Sequence, residues 1–367
     1  MPSASTSRRR RVLFRAIAVL VSVALALFLL EIVVRVAKPQ RTAFTGLGLY
    51  QFDPDLGHRL RPNIPGGTNS LGLRDKPVAV EKAPGSYRVL AIGDSFTFGS
   101  VPLDDVWTEV LEKRLLGSRP PAEVVNGGVA GYNTRQEIDW YRKFGRPLGP
   151  DCVVLGLFVG GDILENADNH WFDVVDGELV NPGERPSALT RLLLKSHLFR
   201  LLRGSLWPPV RAAGGSTLTE EAFYATEGGR VRVCLKEAPE SVERAYAITE
   251  SLLEEVATLA RESGVALVVL LMPDEIQVSK ELFDTVCARF SFDAGAYDLD
   301  RPQARLRAAL ERLRVPYVDP LAALRERQAI ERTYIPLDTH WNAVGNAIAA
   351  DALLRWFTGA GGPIATK

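Results

Sequence analysis

The stretch that decides the fold is Val89-Leu90-Ala91-Ile92-Gly93-Asp94-Ser95-Phe96-Thr97-Phe98-Gly99. Val89 to Ile92 is a short apolar run of the kind that forms a buried strand, and it stops at Gly93-Asp94-Ser95. A helical pattern begins near Asp104. A serine at the C-terminal end of a strand, in a tight Gly/Asp turn, stands where an open α/β sheet presents reactive groups to solvent. The same turn has a second reading, because Asp and Ser are both favoured helix caps.

Downstream the pattern alternates. Strand Arg88–Ile92 leads to a helix over Asp104–Leu116. Strand Glu123–Val125 runs through Asn126-Gly-Gly-Val-Ala-Gly-Tyr-Asn133 to a helix over Thr134–Phe144, and strand Cys152–Phe158 ends in Val159-Gly160-Gly161-Asp162. After an interruption at about 163–239 come helix Ser241–Arg261 and strand Val265–Leu271, which has six Val and Leu in seven positions and suits burial on both faces. Helices Ser279–Phe290 and Gln303–Leu313, a short strand Pro316–Val318, and a last helix Ala343–Phe357 capped by Asn342 complete the series. Strands alternating with helices of this length predict an α/β fold, a parallel sheet with helices on both faces. The interruption holds a hairpin (171–174 and 178–180, turning at Asp176-Gly177) and an apolar-basic stretch, Leu189–Arg203. Its cations Arg191, Lys195, Arg200 and Arg203 spread over half a helical wheel. That pattern favours an insertion helix packed on the domain over a lid or a membrane-surface helix.

Ahead of the decisive stretch the chain changes character twice. Ala16 to Leu30 is fifteen residues without a charge, extended past Glu31 by Ile32-Val33-Val34. About nineteen residues at 1.5 Å each span roughly 28 Å, close to a bilayer's hydrocarbon core. Arg8, Arg9, Arg10, Arg11 and Arg15 precede it and hold that end in the cytoplasm, sending the rest across. A cleaved signal peptide is the rival, but the apolar region is long for one and no small-x-small site precedes Pro39. A twin-arginine signal fits loosely, against so apolar a core. Residues 1–36 therefore read as a single-pass signal anchor. Residues 37–86, rich in Pro and Gly, read as a tether and wrap, 87–358 as the main domain and 359–367 as a tail.

Composition is globular, 46% hydrophobic and 24% charged, with Lys+Arg and Asp+Glu both at 44. The zero net charge offers nucleic acid no basic field. Cys152, Cys234 and Cys287 are too few and too scattered for a zinc site or a disulfide framework, and a Cys234–Cys287 bridge stays open for an extracytoplasmic domain. No His/Asp/Glu spacing suits a metal, so neither metal nor cofactor is expected.

Near the other end lies Leu337-Asp338-Thr339-His340-Trp341-Asn342. Two residues apart in an extended segment, Asp338 and His340 point to the same side. A carboxylate that holds His340 Nδ1–H leaves Nε2 as the base that a serine nucleophile needs. The order Ser95…Asp338…His340 is one of several that build such a triad. Loops after the second and third strands offer backbone N–H groups to an oxyanion, with Gly131 best placed and Ser95's own N–H beside it. Each feature has a plainer reading, as a polar helix flank or a tight turn.

Gly93-Asp-Ser-Phe-Thr-Phe-Gly99, Asn126-Gly-Gly-Val-Ala-Gly131, Phe158-Val-Gly-Gly-Asp162 and Asp338-Thr-His340-Trp341 resemble, in order, the four blocks of the SGNH/GDSL hydrolase superfamily. The resemblance covers about 70–357. It implies a three-layer α/β/α domain on a five-stranded parallel sheet. It further implies that Ser95 is the nucleophile, His340 the base, Asp338 its orienting acid and Gly131 an oxyanion donor. The Asp-x-His-Trp spacing looks like the envelope polysaccharide O-acetyltransferase branch. The third block of that superfamily reads Gly-Asn-Asp, and its asparagine donates to the oxyanion. Here Gly161 takes that place, leaving only a backbone N–H. Losing one such donor costs on the order of 100- to 1,000-fold in rate, and Asn166, Asn169 or water are the substitutes within sequence reach.

The expected activity is ester hydrolysis or acyl transfer on an envelope glycan or lipid-linked substrate by a domain outside the bacterial inner membrane. A glycan-binding module of the same fold, without turnover, is the alternative.

Overall fold

In the computed structural model the described residues are 4–37, 48–168, 171–175, 177–180, 187, 189, 193, 196–199, 201 and 218–364. The chain divides into two compact units, Met1–Leu47 with Arg185–Pro209, and Gly48–Glu184 with Val210–Lys367.

In the first unit, helix α1 (Ala4–Ala37) contains the apolar span Leu13–Val36, 24 residues, which is long and apolar enough to cross a bilayer. Its one acid, Glu31, is fully engaged. It accepts from Ser196 Oγ at 2.7 Å and from the backbone N–H groups of His197 and Leu198 at 3.0 and 2.8 Å, and it pairs with Arg35. Part of the Leu189–Arg203 stretch is thus packed in the unit of α1, where the sequence suggested packing on the domain. Arg191, Lys195, Arg200 and Arg203 lie outside the described residues.

The second unit begins with a hairpin, β1 (Tyr50–Asp53) and β2 (Gly57–Leu60), inside the segment expected as tether and wrap. Then follow β3 (Tyr87–Gly93), a one-turn α2 (Ser95–Phe98), α3 (Trp107–Arg114), β4 (Ala122–Asn126), α4 (Thr134–Trp140), β5 (Cys152–Phe158) and α5 (Asp162–Asp168). A small hairpin, β6 (Asp173–Val175) and β7 (Glu178–Val180), is described apart from Asp176 at its turn, and helix α6 (Glu220–Arg230) precedes the long α7 (Glu240–Ser263). The chain closes with β8 (Ala266–Met272), α8 (Glu275–Val278), α9 (Lys280–Phe290), α10 (Arg301–Leu313), β9 (Tyr317–Val318), α11 (Leu321–Gln328) and α12 (Ala343–Thr358).

Five strands form one parallel sheet in the order β4-β3-β5-β8-β9. Every residue of β5 is buried, as a central parallel strand requires. One face carries Val89, Val124, Val154, Val268 and Leu270 onto Trp107 and Leu111 of α3 and Leu353 and Phe357 of α12. The other presents Leu90, Ile92, Val153, Leu155 and Val269 toward α4 and α7, so the domain is a three-layer α/β/α sandwich. Each fully buried Leu or Val contributes about 1.5–3 kcal/mol. Chain order turns from β3 to β4 on one side and to β5 on the other, so the crevice beyond the carboxyl ends of β3, β4 and β5 is the expected ligand position. The three cysteines are buried free thiols, so Cys234 and Cys287 do not pair.

Candidate active site

Both readings of the decisive turn hold together. Asp94 caps α2, accepting from Phe96 N–H at 2.8 Å, and Ser95 is the first residue of the helix. Capping fixes Ser95 at the end of β3, partly buried above the sheet. Burial pushes the Asp94 carboxyl up to about 6, against Phe96 N–H and the charges of His340 and Arg230.

Ser95 Oγ lies 2.7 Å from His340 Nε2, and His340 Nδ1 lies 2.5 Å from Asp338 Oδ1. The same carboxylate oxygen accepts the backbone N–H of His340 at 3.0 Å. Burial works to raise Asp338, but hydrogen bonds from His340 and its charge outweigh it and hold the carboxyl below its ordinary value. An ionised Asp338 fixes Nδ1 as the protonated nitrogen and leaves Nε2 to accept from the serine hydroxyl, the arrangement that turns a hydroxyl into a nucleophile. The ring is held from the side by Phe96, 5.0 Å between centroids, and Phe96 meets the buried Trp341 edge-on at 5.2 Å.

The route by which Asp338 and His340 meet differs from the expectation of an extended segment. They lie on a turn: Asp338 N–H donates to Ile335 O, Ile335 N–H to His340 O, and Leu337 adopts φ +53°. Side-chain alternation is not what aligns the pair. A tight loop folds the aspartate back over the backbone and ring of the histidine two residues on. Asn342 then caps α12, accepting from Val344 and Gly345 N–H.

Gly131 is in a turn closed by Tyr132 N–H to Val129 O, with φ +81° at its third position, which glycine adopts without strain. A Cβ there would meet the Phe172 ring at 3.0 Å and Leu179 at 3.1 Å, so the loop is pinned by the second hairpin. His58 steadies it from the other side through a 3.0 Å contact between Nε2 and Ala130 O, and Tyr132 Oη donates to His58 O. The first of these hairpins was not visible as such in the Pro/Gly-rich composition of 37–86, where its signal was the short run Tyr50–Phe52. The second was expected at 171–174 and 178–180 and is found at Asp173–Val175 and Glu178–Val180.

Gly161 behaves otherwise. Its N–H donates to Phe158 O at 3.2 Å and so closes a turn. Asp162, fully buried, accepts Phe158 N–H at 2.7 Å. Asn166 is committed elsewhere: its carbonyl accepts Thr134 N–H, and its amide donates to the hydroxyls of Thr134 and Thr249. Asn169 lies outside the described residues.

The fold is a three-layer α/β/α domain on a five-stranded parallel sheet. Residues 234–360 match the family model described as "SGNH hydrolase-like domain, acetyltransferase AlgX". Solved structures similar to it include a catalytic mutant of an acetylxylan esterase from Geobacillus stearothermophilus (14% identity, 73% of this chain and 93% of that one, TM-score 0.41). Another is an α/β hydrolase from the metagenome of Lake Arreo, Spain (14%, 73% and 93%, TM-score 0.40). No curated protein matches the chain.

Proposed function

We propose that this protein is a membrane-anchored serine esterase or O-acetyltransferase of the bacterial cell envelope, acting on an ester or acylated carbohydrate through an acyl-Ser95 intermediate. The hydrogen-bonded row Ser95 Oγ, His340, Asp338 carries the reading, with 2.7 and 2.5 Å links. The match to an acetyltransferase family model supports acetyl as the group moved.

Ser95 Oγ attacks the ester carbonyl as His340 Nε2 takes its proton, and the carbonyl electron pair moves onto oxygen. The N–H groups of Ser95, at the start of α2, and of Gly131 stabilise that oxyanion. Collapse expels the alcohol, which takes the proton back from His340, and leaves acetyl-Ser95. A water or a sugar hydroxyl, deprotonated by His340, then releases the acetyl group. The arginine cluster at the N-terminal end of α1 supports a cytoplasmic N-terminus, residues 37–86 serve as tether and N-terminal wrap, and the domain 87–358, with its insertion at about 163–239, works outside the inner membrane.

The glycine at 161 favours a second reading, a glycan-binding domain without turnover. A fluorophosphonate probe separates the two, because only an activated serine reacts. Labelling of the wild type that Ser95→Ala and His340→Ala both abolish supports the enzyme. An unreactive wild type supports the binding module.

A further inference from the structure

The oxyanion side of this site lacks the side-chain donor of the third block, and the space at Gly161 is already taken. A Cβ there would lie 2.7 and 2.9 Å from Cδ1 and Cε1 of Phe158. Phe158, the last residue of β5, is buried and stacked on Phe96 with ring centroids 4.3 Å apart, and Phe96 in turn packs on His340. Phe158 therefore occupies the corner next to the base where an asparagine side chain would otherwise enter.

On that same ring lies a cation. The guanidinium of Arg230, the last residue of α6, sits 4.9 Å from the Phe158 centroid. Among the described residues its Nη1 is buried with no hydrogen-bond partner. A buried donor left unpaired is costly, and such groups in folded proteins call for a functional or structural reason. The charge of Arg230 works against burial at Asp94, and with the hydrogen bonds from His340 against burial at Asp338. Asp274, Glu227, Glu165 and Asp94 all act on that charge. Burial and the charge of Asp274 push Glu227 well above the ordinary carboxylate range, and burial raises Asp274 as well.

We infer that Arg230, held against Phe158, stabilises the oxyanion in place of the side chain absent at Gly161. The inference rests on the reading of Ser95 as nucleophile. As the Ser95 Oγ–acyl carbon bond forms, the carbonyl π pair becomes an oxyanion while the hydroxyl proton passes to His340 Nε2. Arg230 offers that oxygen a charge-assisted N–H and takes no part in the proton balance. The insertion thereby supplies, through α6, the electrostatic element that the third block omits.

The test uses the full-length protein in detergent or nanodiscs with a small neutral acetyl ester, comparing Arg230→Ala, Arg230→Lys and wild type. The expected result is a fall in kcat of about 100- to 1,000-fold for Arg230→Ala. KM should stay within about threefold, and fluorophosphonate labelling of Ser95 should slow in parallel. Arg230→Lys keeps the charge and retains more activity, and added guanidinium partly restores Arg230→Ala. If Arg230→Ala unfolds, Arg230→Lys at a wild-type Tm decides, since retained charge with full kcat supports the inference only when Arg230→Gln at the same Tm loses it. Unchanged kcat in a folded Arg230→Ala or Arg230→Gln overturns the inference. So does a defect confined to KM for acetylated uronates, which would make Arg230 a clamp for substrate carboxylates. Turnover by Ser95→Ala in the same assay would instead sink the Ser95 reading itself.

Discussion

One oxygen of Asp338 accepts two hydrogen bonds from a single residue, the ring Nδ1 of His340 at 2.5 Å and its backbone N–H at 3.0 Å. The carboxylate therefore fixes both the rotation of the imidazole and the backbone that carries it. Geometry and tautomer are set by the same contact.

Asp338→Asn separates the two roles. The amide keeps the size of the side chain and an acceptor for the backbone N–H, but it can present N–H to Nδ1 and select the wrong tautomer. Activity on a small acetyl ester should fall about 10⁴-fold, with little change in folding. Steady-state kinetics beside a thermal melt would show this, and activity within tenfold of wild type would contradict it.

Gly131→Ala strains a backbone at φ +81° and pushes into Phe172 and Leu179. A non-glycine residue forced into such a conformation costs about 1–3 kcal/mol. The denaturation midpoint should drop accordingly, and kcat should drop with it because the loop that presents the Gly131 N–H must shift. A variant as stable and active as wild type would show that the loop has no part in the site.

Burial, with the buried Glu109 beside it, pushes Asp75 up to about 8, although Asn126 N–H donates to it. The folded state then binds a proton that the unfolded chain releases near its ordinary value of 3.8. A raised carboxyl destabilises progressively as pH climbs from about 4 to about 8. Buried His58, depressed to about 4, acts oppositely below its ordinary 6.5, so the sum of these terms is not the useful readout. The difference is. Asp75→Asn should lose part of the decline in Tm between pH 5 and pH 8, and an identical Tm profile in both proteins would rule Asp75 out as its source.

The apolar span Leu13–Val36 predicts carbonate-resistant membrane association of the full chain. In spheroplasts an added protease should digest a C-terminal tag and spare an N-terminal one. The reverse pattern, or release by carbonate, would contradict the anchored, outward-facing arrangement.

How much of this was legible beforehand follows from where the signals lie. Cys152–Phe158 was read to the residue because a central parallel strand is apolar at every position. Ser95 and His340, 245 positions apart, could be paired from sequence because each stands in a short, chemically distinctive block. The hairpin Tyr50–Leu60 was hidden in a Pro/Gly-rich segment, since four-residue strands are too short to show alternation. Helix Glu220–Arg230, which carries Arg230, was masked by Gly228-Gly229 near its end and by lying inside an apparent insertion. The turn at Asp338 was unforeseeable for a different reason. Leu337 takes a left-handed conformation that leucine rarely adopts, and only the tertiary contacts around it impose that. Filling of the Gly161 corner by Phe158 is likewise a packing result with no local signature.

The central claim is that Ser95 forms a covalent acyl intermediate. Intact-protein and peptide mass spectrometry after brief incubation with an activated acetyl ester tests it most directly. The account predicts one added acetyl group on the peptide containing Ser95, absent in Ser95→Ala and discharged when water or a candidate glycan is allowed to react. An unmodified Ser95 under conditions where the ester is turned over would contradict it.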